Sequence, residues 1–397
     1  MSVTRIRDIA SILGKTQAAN PSNPALGTGT GAGFDSADVN NIVGNSTYLN
    51  ARNLVHNGAM YVDQRNEGAA VTPSNATITF GPDRWFMYKN TAATFTIDQD
   101  TEAPAGFKYS FKVTNTGTDS SISATDRALI VHRLEGQDVY HLGLGTSGAA
   151  TVTLSFYVRS SITGTHGGAI RNHDSNQRNF PFTYTISSAN TWERKSITLT
   201  LDTSGTWPSD NTLGLQIQFG LGVGTDFSGS ADSWADGDIN SATGATTAML
   251  STSSATWYVT GIQLELGTIA TPFEHLSVHQ YQHQCLRYYY RYRKTIAYGM
   301  FLTTRSWSTT NADGIHSFPT AMRVAPTLSI DKTVNSTNFA TNLSVIAITE
   351  VEAQNFSSAG IRCTGSGFLA LGGNVIQTNG ASSAIDCSFN FDAEMTT

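Results

Sequence analysis

Between residues 53 and 275, apolar side chains recur at every second position in one segment after another. In TVTLSFYVR at 151–159, Val152, Leu154, Phe156 and Val158 point one way, and Thr and Ser mostly the other. SITLTL at 196–201 and LGLQIQFGL at 213–221 repeat the pattern. Period two belongs to the strand, whose successive side chains alternate between faces. Such segments bury one face and wet the other, as the sheets of an antiparallel sandwich do. Candidate strands cover 76–80, 93–97, 109–113, 128–134, 139–144, 151–159, 180–186, 194–201, 213–221 and 256–266. Turns rich in Gly, Asn, Asp and Ser separate them, and the set predicts a jelly-roll sandwich.

Composition agrees. Charged residues are 14% of the 397, against about 25% in ordinary soluble domains. Ser, Thr, Asn and 36 glycines must cover the surface instead. That mixture favours strands and turns and argues against a helical bundle. A net charge of −6 offers no footprint for nucleic acid. No run of 18 apolar residues exists, so membrane insertion is not expected. Cys285, Cys363 and Cys387 are too few and too scattered for a disulfide framework and read as small core residues.

Three domains are expected. Residues 1–52 read as an anchoring segment. It pairs a short helix over 4–14, with Ile6, Ile9 and Leu13 on one face as candidate subunit contacts, and an extended Gly- and Asn-rich arm. Residues 53–275 are the jelly roll. Residues 276–397, with strands expected at 286–292, 297–304, 314–317, 327–330, 344–349, 360–363, 368–371 and 384–391, are a smaller β-sandwich. The expected class is therefore all-β, with an N-terminal arm.

No motif fixes catalytic chemistry. Glycosidic hydrolysis needs two carboxylates flanking a bond, and no pair is marked here. The acidic loop 225–244 departs from the EF-hand spacing and reads as a solvated surface loop. His275, His279 and His283 read as an exposed polar stripe on a connector, and His166 and His173 as solvated loop residues. No metal, cofactor or enzymatic activity is expected. Trp234, displayed on the acidic loop, and Trp207, in the TSGTWPSDN turn, are candidate glycan-stacking platforms. In RYYYRYR at 287–293, Tyr288, Tyr290 and Tyr292 share one strand face, and Arg287, Tyr289, Arg291 and Arg293 the other. Core packing with arginine–aromatic stacking explains that run. Tyr288, Tyr290 and Arg291 are also candidate subunit-interface residues, since Tyr and Arg are enriched at interfaces.

Three phrases resemble a group of bacteriophage tail-fibre and head-fibre proteins. They are NLVHNGAMYVDQR at 53–65 with Asp83-Arg84-Trp85, then TGIQLELG at 260–267 with ATPFE at 270–274. The third is QCLRYYYR at 284–291 with Phe318-Pro319, Met322-Arg323 and Ala325-Pro326-Thr327. The resemblance implies a carbohydrate-binding-module-like sandwich on the exterior of a virion made in the host cytoplasm, in tail or capsid. It implies a homotrimer that joins other virion proteins through its arm and binds a host glycan or receptor. A tail fibre is the preferred expectation. A head fibre or capsid-decoration protein and a glycan-degrading tailspike are the alternatives. The first two phrases open and close the jelly roll, so they should meet at a seam. There Asp83–Arg84 and Arg65–Glu265 are candidate ion pairs.

Overall fold

A computed structural model describes residues 52–395, apart from 173–176, 296–299, 331–333, 338–341, 356, 366–367, 369–372 and 379–386. The expected helix with Ile6, Ile9 and Leu13, and the arm up to residue 51, lie outside these residues. Residues 53–397 form one compact unit.

The first block contains β1 (Ile78–Phe80), β2 (Trp85–Asn90), β3 (Thr94–Asp100), β4 (Ser110–Gly117), β5 (Arg127–Glu135), β6 (Thr151–Ser160), β7 (Gly164–Arg171), β8 (Arg178–Ile186), β9 (Glu193–Thr200), β10 (Leu213–Val223), β11 (Ser228–Gly229), β12 (Ala235–Asp236), β13 (Ser241–Ala242) and β14 (Thr256–Leu266). One sheet has the order β1-β2-β5-β10-β7-β8-β12, the other β3-β4-β14-β6-β9. Pairing within both is antiparallel. The architecture is all-β and sandwich-like, as the alternation requires. Val152, Leu154, Phe156 and Val158 are each fully buried and share a single core with Trp257 and Leu264 of the neighbouring β14 and with Ile217 and Phe219 of the opposite sheet.

The opening and closing phrases meet. Leu54 N–H donates to the Leu264 carbonyl at 3.0 Å, Ile262 N–H to that of Gly58 at 3.0 Å, and Leu264 N–H to Asn53 Oδ1 at 3.1 Å. Asn57 adopts φ 52°, and its buried amide donates to the Val62 and Asp83 carbonyls. Next to it, a Cβ on Gly58 would overlap the Ile262 carbonyl oxygen. Gly58→Ala is therefore expected to destabilise the protein by about 1–3 kcal/mol, as overpacking does, read as a lower urea midpoint at unchanged m-value. Strand β14 answers this approach with a register shift between Thr260 and Gln263, where Gly261 takes φ 62°.

Two segments depart from expectation. Residues 139–144 are not a strand: Gly136–Val139 is a helical turn and Tyr140–Leu142 a 3-10 turn. Their buried residues, Gly136, Val139 and Leu142, are three apart, which is helical spacing. Conversely, His166 lies inside β7, 1% exposed and stacked on Tyr184 at 5.6 Å, not in a solvated loop. The neighbouring glycines are packing requirements: a side chain at Gly167 would overlap Ser241, and one at Gly168 the Gln218 carbonyl.

The second block follows the helix Val278–Leu286, which starts on a Ser277–Gln280 capping box. His275 precedes this helix and packs on Phe107 and Phe273, so the three histidines do not form one stripe. Strands β15 (Tyr289–Lys294), β16 (Met300–Ser306), β17 (Asn311–Ser317), β18 (Thr327–Ile330), β19 (Val334–Thr337), β20 (Asn342–Asn355), β21 (Ser358–Gly365), β22 (Gly373–Thr378) and β23 (Cys387–Asp392) complete the chain. They form a three-stranded sheet, β15-β23-β18, and a closed barrel, β16-β17-β21-β20-β19-β22.

Candidate functional site

The outer face of the seven-stranded sheet carries a groove of about 460 Å³. Its floor follows from strand alternation. Along β5, Ala128, Ile130 and Leu134 enter the core, so Arg127, Leu129, Val131 and Arg133 face outward. On β2, Phe86 and Tyr88 stand opposite Val131 and Leu129. On β10 and β7, the outward residues are Gln216, Gln218 and Arg171. One half is therefore apolar, with Phe86, Leu129 and Val131 buried beside Ile78 and Tyr88. The other half is polar, and the 237–241 segment closes it with Asp238 and Asn240.

The acidic loop is solvated at Asp226, Asp232 and Asp236, as expected, but its 240–242 end is not. Asn240, Ser241 and Ala242 are at most 2% exposed. Asp238 bridges Arg171 at 2.6 Å and Arg127 at 2.8 Å. Burial would raise its carboxyl, but Arg171, Arg127 and Asn240 outweigh that and hold it at about 2. Gln216 Nε2 donates to Gln218 Oε1 at 2.8 Å, while Gln218 Nε2, on a fully buried side chain, has no partner. An unpaired buried amide donor is costly and marks where an acceptor belongs. Aromatic rings on one side and fixed amide and guanidinium donors on the other suit a ring-shaped, polyhydroxylated ligand.

Trp207 and Trp234 lie at the far edge of the same sheet, half-buried against the core. Their rings meet edge to face at 5.8 Å. Both indole N–H groups are used internally, Trp234 to the Thr200 carbonyl at 2.9 Å and Trp207 to that of Ser204 at 3.0 Å. Tyr290 and Tyr292 stack at 6.2 Å and pack with His316, while Tyr290 also stacks on Phe391. Arg291 turns the other way, donating to the Gln64 carbonyl at 3.1 Å. Tyr288 is fully buried, with its hydroxyl donating to Glu135 at 2.6 Å.

The anticipated ion pairs at the seam are replaced by longer-range ones. Arg65 pairs with Asp392 at 3.0 Å and lies near Glu394, not Glu265. Arg84 pairs with Glu394, and Asp83 instead accepts from Gln64. Glu265 accepts from Gln263 and Thr271. The third phrase joins the same junction. Arg323 Nε donates to the Ala393 carbonyl at 2.7 Å, and NH2 to that of Glu394 at 3.0 Å.

No family model and no curated protein matches the chain. Solved structures do. The enzymatically active domain of bacteriophage CBA120 tailspike protein 4 is similar at 14% identity and TM-score 0.29, over 54% of this chain and 22% of that one. A family 11 carbohydrate-binding module from Clostridium thermocellum, in complex with a β-1,3-1,4-mixed-linked tetrasaccharide, is similar at 13% identity and TM-score 0.26, over 52% and 98%. The CBM22-1–GH10 modules of a Clostridium thermocellum xylanase, complexed with xylohexaose, are similar at 12% and 0.27, over 50% and 30%.

Proposed function

We propose that this chain is an adhesive bacteriophage virion protein, a tail fibre or receptor-binding protein, whose groove holds a glycan of the host surface. The observation that carries the glycan reading is the groove itself: Phe86 and Tyr88 on one wall, and the unpartnered Gln218 amide on the other. The virion assignment rests on the three phrases above. In this reading the 1–52 arm anchors the protein to other virion proteins. A homotrimer multiplies weak single-site contacts into avidity.

The groove binds and does no chemistry. A glycosidase needs a proton-donating carboxyl and a second carboxylate. Among the lining residues Asp238 is the one carboxylate, and two guanidinium groups hold it ionised.

Tyr88→Ala is expected to weaken binding to host cells or their isolated surface glycans roughly tenfold, with little change in melting temperature. Trp234→Ala and Trp207→Ala serve as comparison. If these two abolish adhesion and Tyr88→Ala does not, the sugar sits at the sheet edge and the groove is not the site. Gold labelling of intact particles separates tail from capsid: label on the shell replaces the tail fibre with a head fibre.

A further inference from the structure

The charge balance of the groove is at odds with that of the chain. The protein carries −6 overall, yet Arg127, Arg133 and Arg171 line the groove against a single carboxylate, Asp238. Arg127 and Arg171 share that carboxylate. Arg133 has none. Its Nε donates to Gln216 Oε1 at 3.1 Å and its NH1 to the Met395 carbonyl, both neutral acceptors. Its guanidinium stands 5.1 Å from the centre of the Phe86 ring, on the groove wall, and the residue is 7% exposed.

A buried cation normally finds an anion, because desolvation is otherwise uncompensated. Arg133 is instead surrounded by further cations: burial first, then Arg84 and Arg171, pull its pKa down to about 10. Glu394, the opposing charge that acts on it, is held by Arg84. Among the described residues no carboxylate is left to pair with it, and the groove is open beside it.

We propose that the groove selects an acidic glycan, whose carboxylate or phosphate group docks on Arg133 while its sugar ring lies over Phe86 and Tyr88. This rests on the glycan reading above and adds the ligand class. A planar guanidinium matches both groups with paired hydrogen bonds.

The test uses the full-length protein and a panel of matched oligosaccharides. Uronate oligomers are paired with their methyl esters, and phosphorylated oligosaccharides with their dephosphorylated forms. Acidic members are expected to bind, and neutralising them to weaken binding roughly tenfold to a hundredfold. Preference for one arm identifies the acid as carboxylate or phosphate. Arg133→Gln should abolish the preference, and Arg133→Lys should retain part of it. Because Arg133 also ties down Met395, Arg127→Gln at the groove rim is the second variant. It removes a positive charge without touching the C-terminal segment, and should reduce the preference in the same direction.

Equal binding of acidic and neutral members, still sensitive to Tyr88→Ala, overturns acid selection and leaves the glycan groove standing. Binding insensitive to Tyr88→Ala and Arg127→Gln alike, or no binding to any member, overturns the groove as a glycan site.

Discussion

Glu394→Gln is expected to lower stability by about 3–5 kcal/mol, the cost of leaving a buried charge without its partner. Arg84 and Glu394 are 310 residues apart, and their side chains are 2% and 1% exposed. Without the carboxylate, the Arg84 guanidinium is left with the Gln amide oxygen, the Arg133 carbonyl and the face of Tyr288, 3.4 Å away. None of these carries charge. Arg65 suffers less because Asp392 remains at 3.0 Å. Urea denaturation at pH 7 gives the measurement. The double variant Arg84→Met/Glu394→Leu should recover most of the loss, since apolar pairs often replace buried ion pairs at little cost. If the double variant is as unstable as the single one, the junction depends on something other than its charge pair.

This junction explains what could be read before the fold was known. Alternation identified the core strands because period two is local: Val152, Leu154, Phe156 and Val158 need no partner to declare their face. Partners were another matter. The seam predicts Arg65 against Glu265, but Arg65 pairs with Asp392, 327 residues away. That choice depends on how β23 packs beside the first block, and no local pattern encodes it. Strand β7 was missed for a related reason. THGGAIR looks like a loop, and its glycines make sense only when Ser241 and Phe182 are seen pressing on them.

The groove leaves a signal in the sequence. ALIVHRLE at 128–135 is apolar on both faces, and every residue of it is buried. An antiparallel strand with one face in water should alternate, so a two-sided run implies that something covers the outer face. Part of the cover is the 237–241 segment, and the groove is what it leaves open. Trp234 and Trp207 stand out in the sequence as large aromatics in polar loops. Their indole hydrogen bonds show how a loop tryptophan can also serve to fix the loop. Phe86 and Tyr88, inside an ordinary-looking strand, gave no such contrast.

The second large effect is electrostatic. His132 is fully buried beside Trp85, with ring centres 4.6 Å apart. Its Nδ1 lies 3.2 Å from the Arg84 carbonyl, and its Nε2 accepts from the His56 backbone N–H at 3.3 Å. Nδ1 therefore carries the proton and Nε2 must stay bare. Burial first, then the Arg84 guanidinium and His56, hold its pKa well below 6.5. His56 is pushed down to about 3 by burial, Arg84 and Arg287. A lowered pKa contributes stability above the unfolded value and loses it as pH falls towards the folded one. The advantage of wild type over His132→Gln should therefore shrink below pH 6.5, by about 1.4 kcal/mol per unit. Asp83 and Asp138 run the opposite way. Burial raises both to about 6, so their contribution is present below about pH 4 and is lost as pH rises through 6. Between pH 6 and 4 the raised carboxyls therefore oppose the loss at the buried histidines, and wild-type stability should fall less steeply there than below pH 4. Asp138→Asn should steepen the upper part by removing one opposing group. Urea midpoints at half-unit intervals test both slopes. A gap between wild type and His132→Gln that stays constant from pH 7 to 4 would mean the imidazole is not held neutral by the fold.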